Sequence, residues 1–429
     1  MALDFDKLPS EVAVPDTPPS RFVWTAVFVV LLLFGVAAVL VLWPTSEPTH
    51  TPWFWTCIAL YPAGIAGFVV SRGFSVYEGR RLDALEWNRA CRQFAQEKFA
   101  QEGVPLRILA AAIRVTEADA NNHVRSIVEK TMTLNAKASG HAANTSITAR
   151  WFEPVDAALA VNEVERHESI IEWIFDKLLI DMSESLNAQP ADVRLSVLLD
   201  VSGYSGKADL VDIWQTRWRH HRFRSAHAQR VPTSIDLMAV DAWLDGETGA
   251  SPFDQSTVLL ISASLSAVLD ADPPHGTAEC GIGLLMTSAA FSDRHKLRPI
   301  ASLHRPLRSN SKDLNHSLVY ALRWGQINLD SISAVWLTGF DGQSVGPLHA
   351  AINFAGGDKR RDEPLPEIDL DRTVGHGRQT AGWLAATCAS LRAAETAESH
   401  LLAQRLDDKT FVAVITTVDH EPNHTEVLA

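Results

Sequence analysis

Residues Phe22 to Trp43 read FVWTAVFVVLLLFGVAAVLVLW, a run without a single charge. A helix rises about 1.5 Å per residue, so the run matches a hydrocarbon core of about 30 Å. A second uncharged run, Trp53 to Val70, follows a short connector. It carries Pro62, Gly64 and Gly67, which predicts a shorter, kinked span. Trp24, Trp43, Trp53 and Trp55 stand near the ends, where interfacial aromatic rings belong. A signal peptide has an apolar region of about 7–15 residues and a small-residue cleavage site. Neither fits the first run, whereas a buried helix stays open as a reading of the second. The expectation is an integral membrane protein with a transmembrane hairpin over residues 22–71.

Loop charge sets the expected orientation. The connector Pro44 to Pro52 has no Lys or Arg, only Glu47. Arg72, Arg80, Arg81, Arg89 and Arg92 follow the second run, and Lys7 and Arg21 precede the first. Both chain ends are expected in the cytoplasm, and the Ala- and Arg-rich usage points to a bacterial inner membrane. Four cysteines lie scattered at 57, 91, 280 and 388, with no CxxC or Cys/His cluster. Unpaired thiols suit a reducing compartment, and no zinc, other metal or cofactor site is expected. A net charge of −13 argues against nucleic acid as a partner.

Beyond a Pro- and Asp-rich tail over 1–21, expected to be disordered, the chain divides as follows. Residues 72–103 read as a charged juxtamembrane helix, stopped by Gly103 and Pro105. Residues 104–190 form the first part of the soluble region. They hold a strand at Leu106 to Val115, a helix start at Thr116 and an amphipathic helix from Asn162 to Ser185. Residues 191–429 alternate strands and helices. Strands are expected at 192–201, 256–264, 278–288, 297–304, 333–338 and 410–418, with 297–304 pairing with 278–288. Helices are expected at 209–219, 314–325, 344–354 and 376–393. The alternation predicts a layered α/β domain with helices covering a mixed sheet.

Four local patterns in the later half carry a resemblance. They are Ala278-Glu279-Cys280-Gly281-Ile282-Gly283, Ala321 to Asn328, Ile332 to Gly342, and Thr373-Val374-Gly375-His376-Gly377 with Ala381-Gly382. In this order they resemble the strand, helix-and-turn, Gly-rich turn and "NIGHT" loop of the thiolase fold, and within it of the β-ketoacyl synthases. The resemblance covers about Asp192 to Val418, with a shortened first half. It implies a thiolase-like domain. It also implies a cysteine nucleophile at a strand-to-helix turn and two histidines, and here the sequence departs from it. No cysteine lies between Ser202 and Leu259, and Cys280 and Cys388 fall elsewhere in the pattern. The first family histidine falls on Thr338 and the family lysine on Asp371; His376 alone matches. His376 is therefore a vestigial candidate, with no nucleophile to form an acyl-enzyme. Active members of the family dimerise beside the nucleophile. With that half eroded, the expectation is a monomer or a different pairing, such as an internal pseudo-dimer made with residues 104–190.

Two further features stand apart. Arg217, Arg219, Arg222, Arg224 and Arg230 lie with three histidines in RWRHHRFRSAHAQR. They form a candidate patch for anionic lipid or an acidic partner, or an exposed helix end whose stems cover apolar surface. Asp200 to Ser205 (DVSGYS) follows a central strand, where open α/β sheets bind ligands, but no second carboxylate or Lys signature accompanies it and a structural turn is the favoured reading. The resulting expectation is a catalytically inactive, membrane-anchored thiolase-like scaffold acting through protein partners. Such proteins are similar to accessory proteins of bacterial secretion machines, type VI secretion foremost. The alternative is a membrane-associated acyl-transfer or lipid-modifying enzyme using His376.

Overall fold

A computed structural model of the protein describes residues 8–142, 144–154, 157–245, 253, 256–310, 313–356 and 364–418. The chain forms two compact units, Leu3–Lys98 and Phe99–Ala429. In the first, Ser20 caps the helix Arg21–Leu42 by accepting the Val23 N–H. Thr51 caps the turn Pro52–Trp55 in the same way. A π turn, Thr56–Leu60, then opens a helix that runs unbroken from Tyr61 to Glu102. The π turn lies directly ahead of Pro62, whose ring cannot follow a regular turn. Gly73 lets the two helices meet, since a Cβ there would lie 2.1 Å from the Trp24 indole. Both Arg21–Leu42 and Pro52–Glu102 are long and apolar enough to cross a membrane.

Two expectations change in this unit. The helix shows no break at 71/72, so the juxtamembrane helix continues the second apolar run. Residues 8–20 are not a loose tail. Val12 N–H donates to Asn88 Oδ1 at 2.8 Å, and Asn88 Nδ2 returns a bond to the Val12 carbonyl at 2.9 Å. Trp87 Nε1 and the Tyr77 hydroxyl hold the Ser10 and Pro15 carbonyls. Polar side chains on the helix thus satisfy an extended segment that cannot satisfy itself.

In the second unit, the described residues form one sheet of eleven strands. These are β1 (Leu106–Arg114), β4 (Arg194–Ser202), β5 (His227–Arg230), β6 (Ser256–Ser264), β7 (Cys280–Ser288), β8 (Ala301–Leu303), β9 (Leu307–Asn310), β10 (Ile332–Thr338), β11 (Glu367–Asp369), β12 (Ser399–Leu406) and β13 (Lys409–Thr416). A separate hairpin pairs β2 (Ala136–Ala138) with β3 (Ser146–Thr148). The order is β11-β10-β12-β13-β8-β1-β7-β6-β4-β5, with β9 on β13. Read inward from either edge, three parallel strands are followed by two antiparallel steps. The antiparallel pair β1–β8 joins these halves at the middle.

This arrangement changes the expected division at 190/191. β1, from the segment 104–190, sits mid-sheet between β7 and β8 and completes the first half. It also takes the place expected for β8, which pairs with β1 and β13 instead of β7. The helix expected at Thr116 is replaced by a turn. Its backbone is held by Asn122, whose Oδ1 accepts from Val115 and Thr116 N–H. β12 was not expected at all.

Helices cover both faces. Leu195, Val197, Leu199, Leu259 and Ile261 point to one face, against Ile170, Ile174 and Leu178 of the helix Glu163–Asp181. Leu260, Ile282, Leu284, Trp336 and Leu402 point to the other, against the helix Ala381–Thr396. β6 is buried along its whole length, which is why STVLLISAS reads as a continuous run with no alternation. The helix Ala381–Thr396 is buried from Ala381 to Ser390. Thr387 and Ser390 hydroxyls bond back to the carbonyls of Trp383 and Ala386, so neither is left unsatisfied.

A buried ion pair ties the first half together. Arg166 donates to Glu279 Oε2 and Glu163 Oε1, both at 2.8 Å, and to the carbonyls of Ser266 and Phe152. Glu279 also accepts the N–H groups of Phe152 and Ser266, each at 2.8 Å. Burial pushes the Glu279 carboxyl up, and the Arg166 guanidinium opposes that rise. Glu279→Ala removes one of the two carboxylates that hold the buried Arg166, strips the Phe152 and Ser266 N–H groups of their acceptor, and is expected to cost about 3–5 kcal/mol in urea unfolding. A loss below about 1 kcal/mol would show that the pair does not hold this half.

His400 on β12 supplies a pH-dependent term. Its ring is buried against Trp336, and among the described residues neither ring nitrogen has a hydrogen-bond partner. Burial holds its pKa down to about 4, against 6.5 unperturbed. Between those values the unfolded chain binds a proton that the folded one refuses. Stability is therefore full above pH 6.5 and falls by about 3 kcal/mol as pH drops to 4. His400→Gln is expected to flatten that part of the unfolding profile.

Candidate functional site

The residues at the family's catalytic positions converge in space. Thr338 ends β10, and Asp371 lies in the short helix Leu370–Thr373 that follows β11. Thr338 Oγ1 donates to Asp371 Oδ1 at 2.8 Å, and Gly339 N–H donates to Asp371 Oδ2 at 2.6 Å. Both carboxylate oxygens are thus occupied. Burial raises the Asp371 carboxyl, while a charge on His376 pulls it back.

His376 is not the start of a helix, as expected, because the helix begins only at Ala381. The loop before it is held extended against the entry to β7. His376 N–H donates to the Gly276 carbonyl at 2.7 Å, and Ala278 N–H donates to the His376 carbonyl at 3.0 Å. Gly375 makes this docking possible at φ +103°, where a Cβ would strike Ala278 and Thr277. Among the described residues the imidazole makes one hydrogen bond, accepting the Arg378 N–H at 3.3 Å. Among the described residues no hydroxyl or thiol hydrogen-bonds to it.

The Cys280 thiol lies beside this loop, at Gly377. Cys280 and Cys388 are both fully buried. Burial pushes the Cys280 thiol up to about 12, and the Cys388 thiol rises for the same reason. Burial thus disfavours the thiolate form of both. Sequence reasoning missed a polar ladder at the matching strand ends of the first half. Asp200, at the end of β4, accepts from Ser234 and Ser262, and Ser262 pairs with Thr380 at 3.0 Å. Burial raises the Asp200 carboxyl. The ladder joins the two halves.

The arginine patch is partly neutralised. Arg217 pairs with Glu172 and with Asp176, the latter at 3.2 Å, and His221 pairs with Asp176. Arg224 is half-buried on the Pro190 carbonyl. Arg219, Arg222 and Arg230 remain exposed. A cleft of about 420 Å³ opens elsewhere, beside the end of β1. Its charges are matched: Arg114 pairs with Asp119 and Asp181, and Lys177 pairs with Asp119.

No family model matches the chain, and no curated protein does. Solved structures do match. The ketosynthase from module 1 of the bacillaene synthase of Bacillus amyloliquefaciens aligns at TM-score 0.51 and 11% identity, over 75% of this chain and 73% of that one. An oxazolomycin ketosynthase domain, OzmH KS7, of Streptomyces albus aligns at TM-score 0.50 and 12% identity, over 74% and 76%. The fold is therefore the thiolase-like fold of ketosynthases, as the sequence motifs implied. If its centre is closed, Cys280 and Cys388 of the folded protein should resist iodoacetamide at pH 8, both reacting only after denaturation. Alkylation of either at the rate of a free thiol would show an open, activated centre.

Proposed function

We propose that the protein is a membrane-anchored thiolase-like scaffold, silent as a condensing enzyme, that acts through protein–protein contacts at the cytoplasmic face. The observation that carries this reading is the state of the centre. Thr338 and Gly339 occupy the Asp371 carboxylate, His376 has no nucleophile beside it, and both nearby thiols are buried. Condensation needs a thiolate and donors aimed at developing charge, and this arrangement supplies neither. The rigid sheet and its loop surfaces remain available for partners.

Anchoring is supported by the apolar helices. Phe22, Val30, Leu33, Phe34, Val41 and Leu42 all face outward from Arg21–Leu42, which suits lipid and not water. The positive residues after the second run favour a cytoplasmic second unit. Within this reading, components of a bacterial secretion machine such as type VI secretion are the candidate partners. The exposed Arg219, Arg222 and Arg230 are a candidate contact with anionic head groups or an acidic surface.

Two measurements test the reading. A fluorescent-protein fusion after Ala429 should fluoresce while an alkaline-phosphatase fusion stays inactive; the reverse pattern overturns the topology. Protein extracted in detergent should co-purify with secretion components and should not decarboxylate a malonyl thioester. Recovery of acyl carrier protein together with decarboxylation would overturn the scaffold reading.

A further inference from the structure

A second constellation lies outside the ketosynthase-like centre. The turn Gly203-Tyr204-Ser205-Gly206 leaves the carboxyl end of β4, a strand second from the sheet edge and parallel to both its neighbours, and open sheets place ligands at such ends. Ser205 is exposed, and its Oγ lies 2.8 Å from Nδ1 of His167. The Ser205 backbone N–H also donates to Nδ1, at 3.1 Å. A nitrogen that accepts an N–H carries a lone pair, so the ring proton of neutral His167 is on Nε2. Nε2 lies 2.9 Å from Glu163 Oε1 and 3.1 Å from the Ser266 carbonyl. The imidazole is fully buried, and the Glu163 carboxylate is fixed by Arg166 on Oε1 and the Leu269 N–H on Oε2.

The tautomer therefore aims a basic nitrogen at an exposed hydroxyl, and a buried carboxylate stands behind the ring. Lys207 and Ala208 N–H groups are both taken by Glu168 Oε1, at 2.8 and 3.0 Å. Among the described residues the Gly206 N–H, next after Ser205, makes no hydrogen bond. That leaves one backbone donor beside Ser205 for a developing oxyanion.

We propose that Ser205, His167 and Glu163 form a nucleophilic site for carboxylic esters or thioesters, separate from the silent centre. Ser205 Oγ attacks the carbonyl carbon while its proton passes to His167 Nδ1. The bond to the leaving oxygen or sulfur breaks, and the leaving group takes that proton. Water then attacks the acyl-serine. It gives its proton to Nδ1, the acid is released, and Ser205 recovers its hydrogen. Glu163 is a positioning residue that stabilises the imidazolium formed in each step.

The test uses the full chain in detergent micelles with a fluorophosphonate probe. A phosphonyl adduct mapped to Ser205 by mass spectrometry is expected on the folded protein. Ser205→Ala should abolish it, and His167→Asn should slow labelling at least tenfold at unchanged melting temperature. Glu163→Gln should move the midpoint of the pH–labelling profile to lower pH, because the imidazolium loses its counter-charge. p-Nitrophenyl butyrate and phenyl thiobutyrate form the substrate arms; faster turnover of one identifies oxygen or sulfur as the leaving atom. Should Ser205→Ala fail to fold, adduct mapping on the unaltered chain decides. No adduct at Ser205, or labelling indifferent to His167, overturns the proposal and marks the contacts as a loop anchor.

Discussion

The Arg166–Glu279 ion pair is the constraint on which the first half of the second unit depends. Isolated, either charge would be costly to bury; together, with three carbonyl or carboxylate acceptors and two backbone donors, they fix four chain segments at once. The pair sets the position of the helix Glu163–Asp181, the entry to β7, the loop after β6 and the backbone at Phe152. The same helix presents Glu163 and His167, so the geometry at Ser205 follows from a pair that never touches it.

The sheet explains why the two strand-end regions differ in consequence. Each half ends its parallel strands in polar residues, Asp200 and Ser262 in one, Thr338 in the other. In the second half Asp371 closes on Thr338 and Gly339. Between the halves Thr380 closes on Ser262. The polar groups at these strand ends thus bond to one another. The exposed Ser205 lies at the end of the same strand as Asp200, outside that closed zone.

Much of the fold was legible in the sequence because burial leaves a periodic trace. The run STVLLISAS, the amphipathic stretch after Asn162 and the Gly/Ala motif around Cys280 each matched their elements, whereas the helix expected from His376 begins only at Ala381. β12 escaped because His400, Gln404 and Arg405 interrupt its apolar pattern. A signal was present in the two residues Asp407 and Asp408 joining β12 to β13, with Asp407 at φ +55°. The partner of β8 was misjudged because strand neighbours are chosen across the sheet, and β1 arrives there from nearly two hundred residues earlier.

Sequence by itself determined two apolar helices, a layered α/β unit and the absence of a nucleophilic cysteine at the family's position. These follow from composition and local period, which each segment carries alone. Only the tertiary structure decided which polar residues meet. Thr338 with Asp371, Arg166 with Glu279, and Ser205 with His167 are separated by 33, 113 and 38 positions. Hydrogen bonding acts over about 3 Å, and no local pattern records which distant groups the packed sheet brings within that reach.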